Sequence, residues 1–93
     1  MKKLEKYYKN GYDFTLVHRE GDLAIAVGKS RIHDKENWEV FEVQSHNGMM
    51  MGANWVDAAE FCPTSSMWGC KGWTALNEQD AWRIFNKQKQ NAL

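Results

Sequence analysis

Phe14-Thr15-Leu16-Val17-His18-Arg19-Glu20-Gly21-Asp22-Leu23-Ala24-Ile25-Ala26-Val27 is the stretch that decides the fold of this chain. Two β-prone runs flank Glu20-Gly21-Asp22, and glycine supplies the positive φ of a tight hairpin turn without steric cost. A hairpin is therefore predicted over residues 13–28. Phe14, Leu16 and His18 alternate with Thr15, Val17 and Arg19 in its first strand. In the second, Leu23, Ile25 and Val27 alternate with Ala24, Ala26 and Gly28, so one face is crowded and the other is lined by small residues. The small-residue face needs something bulky laid over it, and a tryptophan-bearing helix is the expected cover.

Downstream, Trp38-Glu39-Val40-Phe41-Glu42-Val43 reads as a third strand, antiparallel to the second, within residues 37–44. Its alternation slips between Val40 and Phe41, which requires either partial cover on both faces or a bulge. The C-terminal segment predicts a helix over residues 77–90. Asn77 is a competent N-cap with Asp80 three residues on, close to a capping box. Leu76 and Ala81 stand where a hydrophobic staple would put them; Ala81, Trp82 and Phe85 form an apolar face, and Lys87 and Lys89 suit the helix dipole. A short strand over 72–76 leads into the helix. Residues 54–61 read as a short helix, because Val56, Ala59 and Glu60 do not alternate, and Pro63 must end it. Residues 1–11 end at the turn signal Asn10-Gly11 and form either a loose basic arm or one helical turn carrying Leu4, Tyr7 and Tyr8. The expected fold is α+β: a three- to four-stranded antiparallel sheet covered by a C-terminal helix, in a single domain over 1–93.

Charge narrows the function classes. The chain carries 12 basic and 12 acidic side chains. Lys2, Lys3, Lys6 and Lys9 against Glu5 make the first 12 residues basic, and the excess acid lies in the middle of the chain. Dedicated nucleic-acid binders are usually strongly basic, because phosphate neutralisation supplies most of their affinity. A nucleic-acid reading therefore rests on the amino-terminal segment alone: Lys2, Lys3, Lys6 and Lys9 for phosphates, with Tyr7, Tyr8 and Trp38 for stacking. The N-terminus has no apolar core of a signal peptide, and no run approaches the roughly 20 apolar residues of a membrane span. With only Cys62 and Cys70, the expected setting is cytoplasmic with reduced thiols.

No catalytic constellation emerges. Glu39 and Glu42 are three apart on a strand and point to opposite faces, so they do not pair as acid and base. The glycines from Gly69 to Gly72 precede no Lys-Ser/Thr phosphate motif. Cys62 precedes a proline and Cys70 has only Lys71 beside it, so neither thiol has a local activating partner. Structural zinc sites pair ligands two to four residues apart, whereas the cysteines lie eight apart; a metal site would need Cys62, Cys70 and His46 to meet in space. No cofactor is expected.

What stands out is apolar material in polar, glycine-punctuated sequence: Met49, Met50, Met51, Trp55, Met67, Trp68 and Trp73. Each of the five tryptophans carries roughly 150–250 Å² of surface and an N–H needing a partner. A core this thin does not enclose them all, so one or two are expected to be partly exposed. Methionine adapts to irregular surfaces, and tryptophan is a frequent interface anchor. These residues either cover the sheet under a long loop or form a contact surface. The candidate contact set is Met50, Trp55, Met67 and Trp68, rimmed by Lys29, Arg31 and Lys35.

The segment Cys62-Pro63-Thr64-Ser65-Ser66-Met67-Trp68-Gly69-Cys70-Lys71-Gly72-Trp73-Thr74, with a hairpin before it and a helix after it, resembles small bacteriophage and mobile-element proteins. Those families include host-takeover factors and anti-CRISPR inhibitors. The resemblance implies no reaction or cofactor and assigns no individual site residue. Small size, neutral charge, excess tryptophan and methionine and the absent catalytic constellation lead to the expectation of a non-enzymatic binding module that inhibits or redirects a host or phage protein by occupying its surface. Self-association through the same apolar patch is a further expectation.

Overall fold

The computed structural model describes residues 1–91. The chain begins with eight strands: β1 (Lys6–Lys9), β2 (Tyr12–Glu20), β3 (Leu23–Ser30), β4 (Glu36–Glu42), β5 (Gln44–His46), β6 (Met49–Met51), β7 (Asn54–Val56) and β8 (Ala59–Phe61). A 3₁₀ turn (Ser65–Met67), β9 (Gly72–Ala75) and α1 (Glu78–Asn91) complete the chain. The class is α+β as expected, with an antiparallel five-stranded sheet in the order β1-β2-β3-β4-β9.

The hairpin foreseen over 13–28 is β2–β3, turning at Gly21 with φ 60°. The sheet gains its extra strand from the N-terminal segment. Residues 6–9 form neither a helical turn nor a loose arm. Asn10 (φ 52°) and Gly11 (φ 85°) both adopt positive φ, which matches the twist of a two-residue hairpin, and they fold β1 back onto β2 with Lys9 opposite Tyr12. Tyr7 then points inward and Tyr8 outward, an alternation that overrides the helical spacing.

The two sheet faces are covered differently. Ile25, Val40 and Ala75 meet Ala81 and Phe85 of α1, flanked by Trp38, Trp73, Trp82 and Ile84. Opposite them, Phe14, Ala24, Ala26, Phe41 and Val43 form a second cluster with Tyr7, Leu16, Cys62 and Trp68. The helix thus lies on the Leu23–Ile25 face, not on the small-residue face. Aromatic rings from neighbouring strands fill the small-residue face instead: a Cβ at Gly28 would sit 2.6 Å from the Phe14 ring, so only glycine lets that ring lie flat. With Val40 and Phe41 both buried on opposite faces, β4 runs without a bulge; the register shift falls in β2, between Leu16 and His18.

The N-terminus of α1 closes as its sequence suggests. Asn77 Oδ1 accepts the Asp80 N–H at 2.8 Å, and Asp80 Oδ2 accepts the Leu76 N–H at 3.0 Å. The staple does not form, because Leu76 is 90% exposed. Residues 54–61 are not helical either: they form β7 and β8 of a separate ribbon.

Candidate partner-binding surface

Residues 44–61 build a two-stranded arm. At its root β5 pairs with β8, Gln44 opposite Phe61 and His46 opposite Ala59. After a break, β6 pairs with β7, Met50 opposite Trp55 and Met51 opposite Asn54, and the chain turns at Gly52 with φ 62°. Nine residues per strand reach up to about 30 Å. Neither β6 nor β7 joins another strand among the described residues.

The root is tied down. Arg19 clamps Glu60 with two hydrogen bonds of 2.6 and 2.8 Å, and the Leu4 N–H donates to Glu60 Oε1 at 2.9 Å. The backbone of Lys2 bonds to Ala58 and Glu60, so the amino terminus lies alongside β8. Three donors on one carboxylate, the Arg19 guanidinium foremost, hold Glu60 down to about 2. His46 packs beside Phe61, ring centroids 5.9 Å apart, with its Nδ1 buried and unpartnered among the described residues.

The tip is bare. Met50 is 60%, Met51 61% and Trp55 61% exposed. A Cβ at Gly48 would come within 2.4 Å of the Trp55 ring, so glycine is what lets the indole settle against the strand. The Trp55 N–H donates to Asp57 Oδ1 at 2.9 Å, which fixes the ring's orientation while leaving its bulk in solvent. An oriented aromatic beside an adaptable thioether is a ready anchor pair.

The other residues of the candidate contact set lie elsewhere. Trp68 is half-buried: it lies on Gly72, whose Cβ would meet its ring at 2.3 Å, and its N–H donates to Thr74 Oγ1 at 3.0 Å. Above the ring sits Lys9 Nζ, 3.3 Å from the centroid. Lys9 also bonds Glu39 Oε2 at 3.0 Å, and the Tyr7 hydroxyl donates to Glu39 Oε1 at 2.8 Å. Trp68 therefore closes a polar centre around Glu39, which is only 5% exposed. Met67 is half-buried in the same turn. Lys29, Arg31 and Lys35 are exposed at the far end of β3: Leu23 pairs with Glu42 beside the root of the arm, whereas Lys29 pairs with Glu36, about 20 Å away. Arg31 is engaged there, bidentate on Asp13 at 2.8 Å and stacked over Tyr8 at 4.2 Å. The structure thus divides the set into three places: Met50 and Trp55 at the tip of the arm, Met67 and Trp68 in their own turn, and Lys29, Arg31 and Lys35 at the far end of β3.

The nucleic-acid set divides likewise. Tyr7 stacks on Phe14 at 4.8 Å, and burial followed by the Glu39 charge pushes its hydroxyl far up. Lys9 is held between Glu39 and Trp68. Lys2, Lys3, Lys6 and Tyr8 remain exposed. As for the thiols, burial and then Glu39 push Cys62 up to about 11, so at neutral pH it is a protonated thiol rather than a nucleophile. Cys70 is exposed, both cysteines are free, and among the described residues no three His, Cys, Asp or Glu side chains are placed to hold a metal ion.

All five tryptophans keep some solvent contact, more than the one or two expected, but only Trp55 is mostly exposed. Among the described residues no helix is long and apolar enough to cross a membrane. Set against protein-family models, curated proteins and solved structures, the chain matches none of them.

Proposed function

We propose that this chain is a non-enzymatic protein-binding module that engages a host or phage protein in the cytoplasm, inserting the arm Gln44–Phe61 with Met50 and Trp55 as anchors. The observation that carries the reading is the cross-strand pair itself: two large apolar side chains opposite one another, each about three-fifths exposed, on a ribbon rooted by the Arg19–Glu60 clamp. Exposed apolar surface of this kind marks contact sites rather than cores. The partner class comes from the resemblance of residues 62–74 to phage and mobile-element proteins, inhibitors of host defence among them. The nucleic-acid reading is weaker, since Tyr7 and Lys9 are spent inside the fold.

The test is an affinity capture from bacterial lysate, followed by titration of the captured protein with wild type, Met50→Ala and Trp55→Ala. Truncating either anchor is expected to weaken binding by about 2 kcal/mol, roughly 30-fold. Unchanged affinity in a folded Trp55→Ala protein would remove the arm from the interface.

A further inference from the structure

The outer edge of β9 is a second surface, distinct from the arm. Among the described residues β4 is the only strand paired with β9. The Glu42 N–H donates to the Lys71 carbonyl at 2.8 Å, and Val40 lies opposite Trp73. Hydrogen-bonding positions on an antiparallel strand recur every second residue, so Trp73 and Ala75 face β4 while Gly72, Thr74 and Leu76 face outward. Two of those outward positions are already used. The Gly72 carbonyl accepts from the Gly69 N–H at 2.6 Å, and the Leu76 N–H goes to Asp80. Thr74 is left with its N–H and C=O both directed outward, and its side chain is held by the Trp68 indole.

Beside this window runs a groove of about 410 Å³ between β9 and α1. Trp73 and Ile84 give it apolar walls, and Arg83 and Lys87 stand on the helix side. Arg83 is paired with Asp80 at 2.7 Å, whereas Lys87 has no ion-pair partner among the described residues. At Trp73 and Gln88 the groove meets a cavity of about 560 Å³ in which Lys89 pairs with Glu20 and Lys71 with Glu42, while Asp22 shares with Glu60 the single guanidinium of Arg19. Within the groove itself, Lys87 is the charged side chain without an opposite partner among the described residues.

We propose that the edge of β9 binds an extended peptide segment carrying an acidic residue, which joins the sheet as a sixth strand. Its backbone exchanges two hydrogen bonds with Thr74, as strand addition at a free edge requires. An apolar side chain lies against Trp73 and Ile84, and a carboxylate meets Lys87. A second copy of this chain fits less well, because edge-to-edge pairing at Thr74 would bring the cationic rim of one groove toward that of the other, and like charges repel.

The experiment is selection of a displayed random octapeptide library on the whole protein, with recovered peptides titrated against variants. Thr74→Pro removes the outward N–H without touching the β4 ladder, since proline is tolerated where its missing N–H faces away from the sheet. Lys87→Glu reverses the unmatched charge on an exposed helix position, and it carries the test alone if Thr74→Pro does not fold. The expected result is enrichment of Asp or Glu among β-prone residues. Affinity should fall roughly tenfold or more in either variant, stay unchanged in Trp55→Ala, and slow exchange of the Thr74 amide when peptide is bound. The proposal is overturned by recovery of no binders, by recovered sequences without acidic enrichment, or by peptides that bind Lys87→Glu as well as wild type. Concentration-dependent self-association abolished by Thr74→Pro would assign the edge to a second copy, and that too would overturn it.

Discussion

The sheet and the arm use the same kinds of residue to opposite ends. In the sheet, Phe14, Ile25, Val40 and Phe41 are buried, under Phe85 of α1 on one face and within a cluster of rings on the other. On the arm, Met49, Met50, Met51 and Trp55 stand in solvent on a ribbon whose two strands pair only with each other among the described residues. What separates the two is cover. Apolar surface that is covered stabilises the fold; apolar surface left bare contributes little to folding and is available to a partner.

That contrast can be broken or sharpened by substitution. The largest effect is expected in the helix-facing cluster: Phe85→Ala leaves a cavity under α1 and should cost about 3–5 kcal/mol in urea unfolding. Next comes the root of the arm, through pH. The Glu60 carboxyl sits at about 2 in the fold against an ordinary 4.5. Its contribution is therefore complete above the ordinary value and is lost as pH falls from there toward 2. Screened by solvent at the edge of the fold, the loss should be about 1–2 kcal/mol across that window. Glu60→Gln should flatten this part of the stability–pH curve, and a curve unchanged by the substitution would show that the clamp does not hold the root.

A smaller cost, about 1–3 kcal/mol, is expected for Gly28→Val, whose side chain must displace the Phe14 ring. The smallest effect belongs to the tip. Trp55→Ala should change unfolding stability by no more than about 0.5 kcal/mol while weakening partner affinity roughly 30-fold. A stability loss comparable to that of Phe85→Ala would erase the distinction between the two regions.

How much could be read from the sequence follows the same line. The β2–β3 hairpin, β4 and α1 were legible because burial on defined faces imposes periodicity, and Gly21 and Asn77 punctuate it. The arm was not. Met49-Met50-Met51 and Asn54-Trp55-Val56 show no alternation because neither face of that ribbon is buried, and a pattern cannot record a boundary that does not exist. β1 was misread for a different reason: Leu4, Tyr7 and Tyr8 share helical spacing by coincidence, while the Asn10-Gly11 turn was the informative signal. The Glu39 centre unites Tyr7, Lys9 and Trp68 across distant parts of the chain, so no local motif announces it. Of the candidate site, Met50 and Trp55 were legible through their unusual setting; the roles of Trp68 and Lys9 as a lid and its bolt, and the free edge at Thr74, needed the fold.

The exposure of Trp55 also makes the protein its own optical probe. Four indoles are half-shielded by the fold, and one stands mostly in water. A neutral collisional quencher such as acrylamide should therefore extinguish a red-edged fraction of the emission first, and that fraction belongs to the arm. Docking of a partner would protect it and shift it to shorter wavelength with the remaining fluorescence little altered, so engagement can be followed in an unlabelled sample.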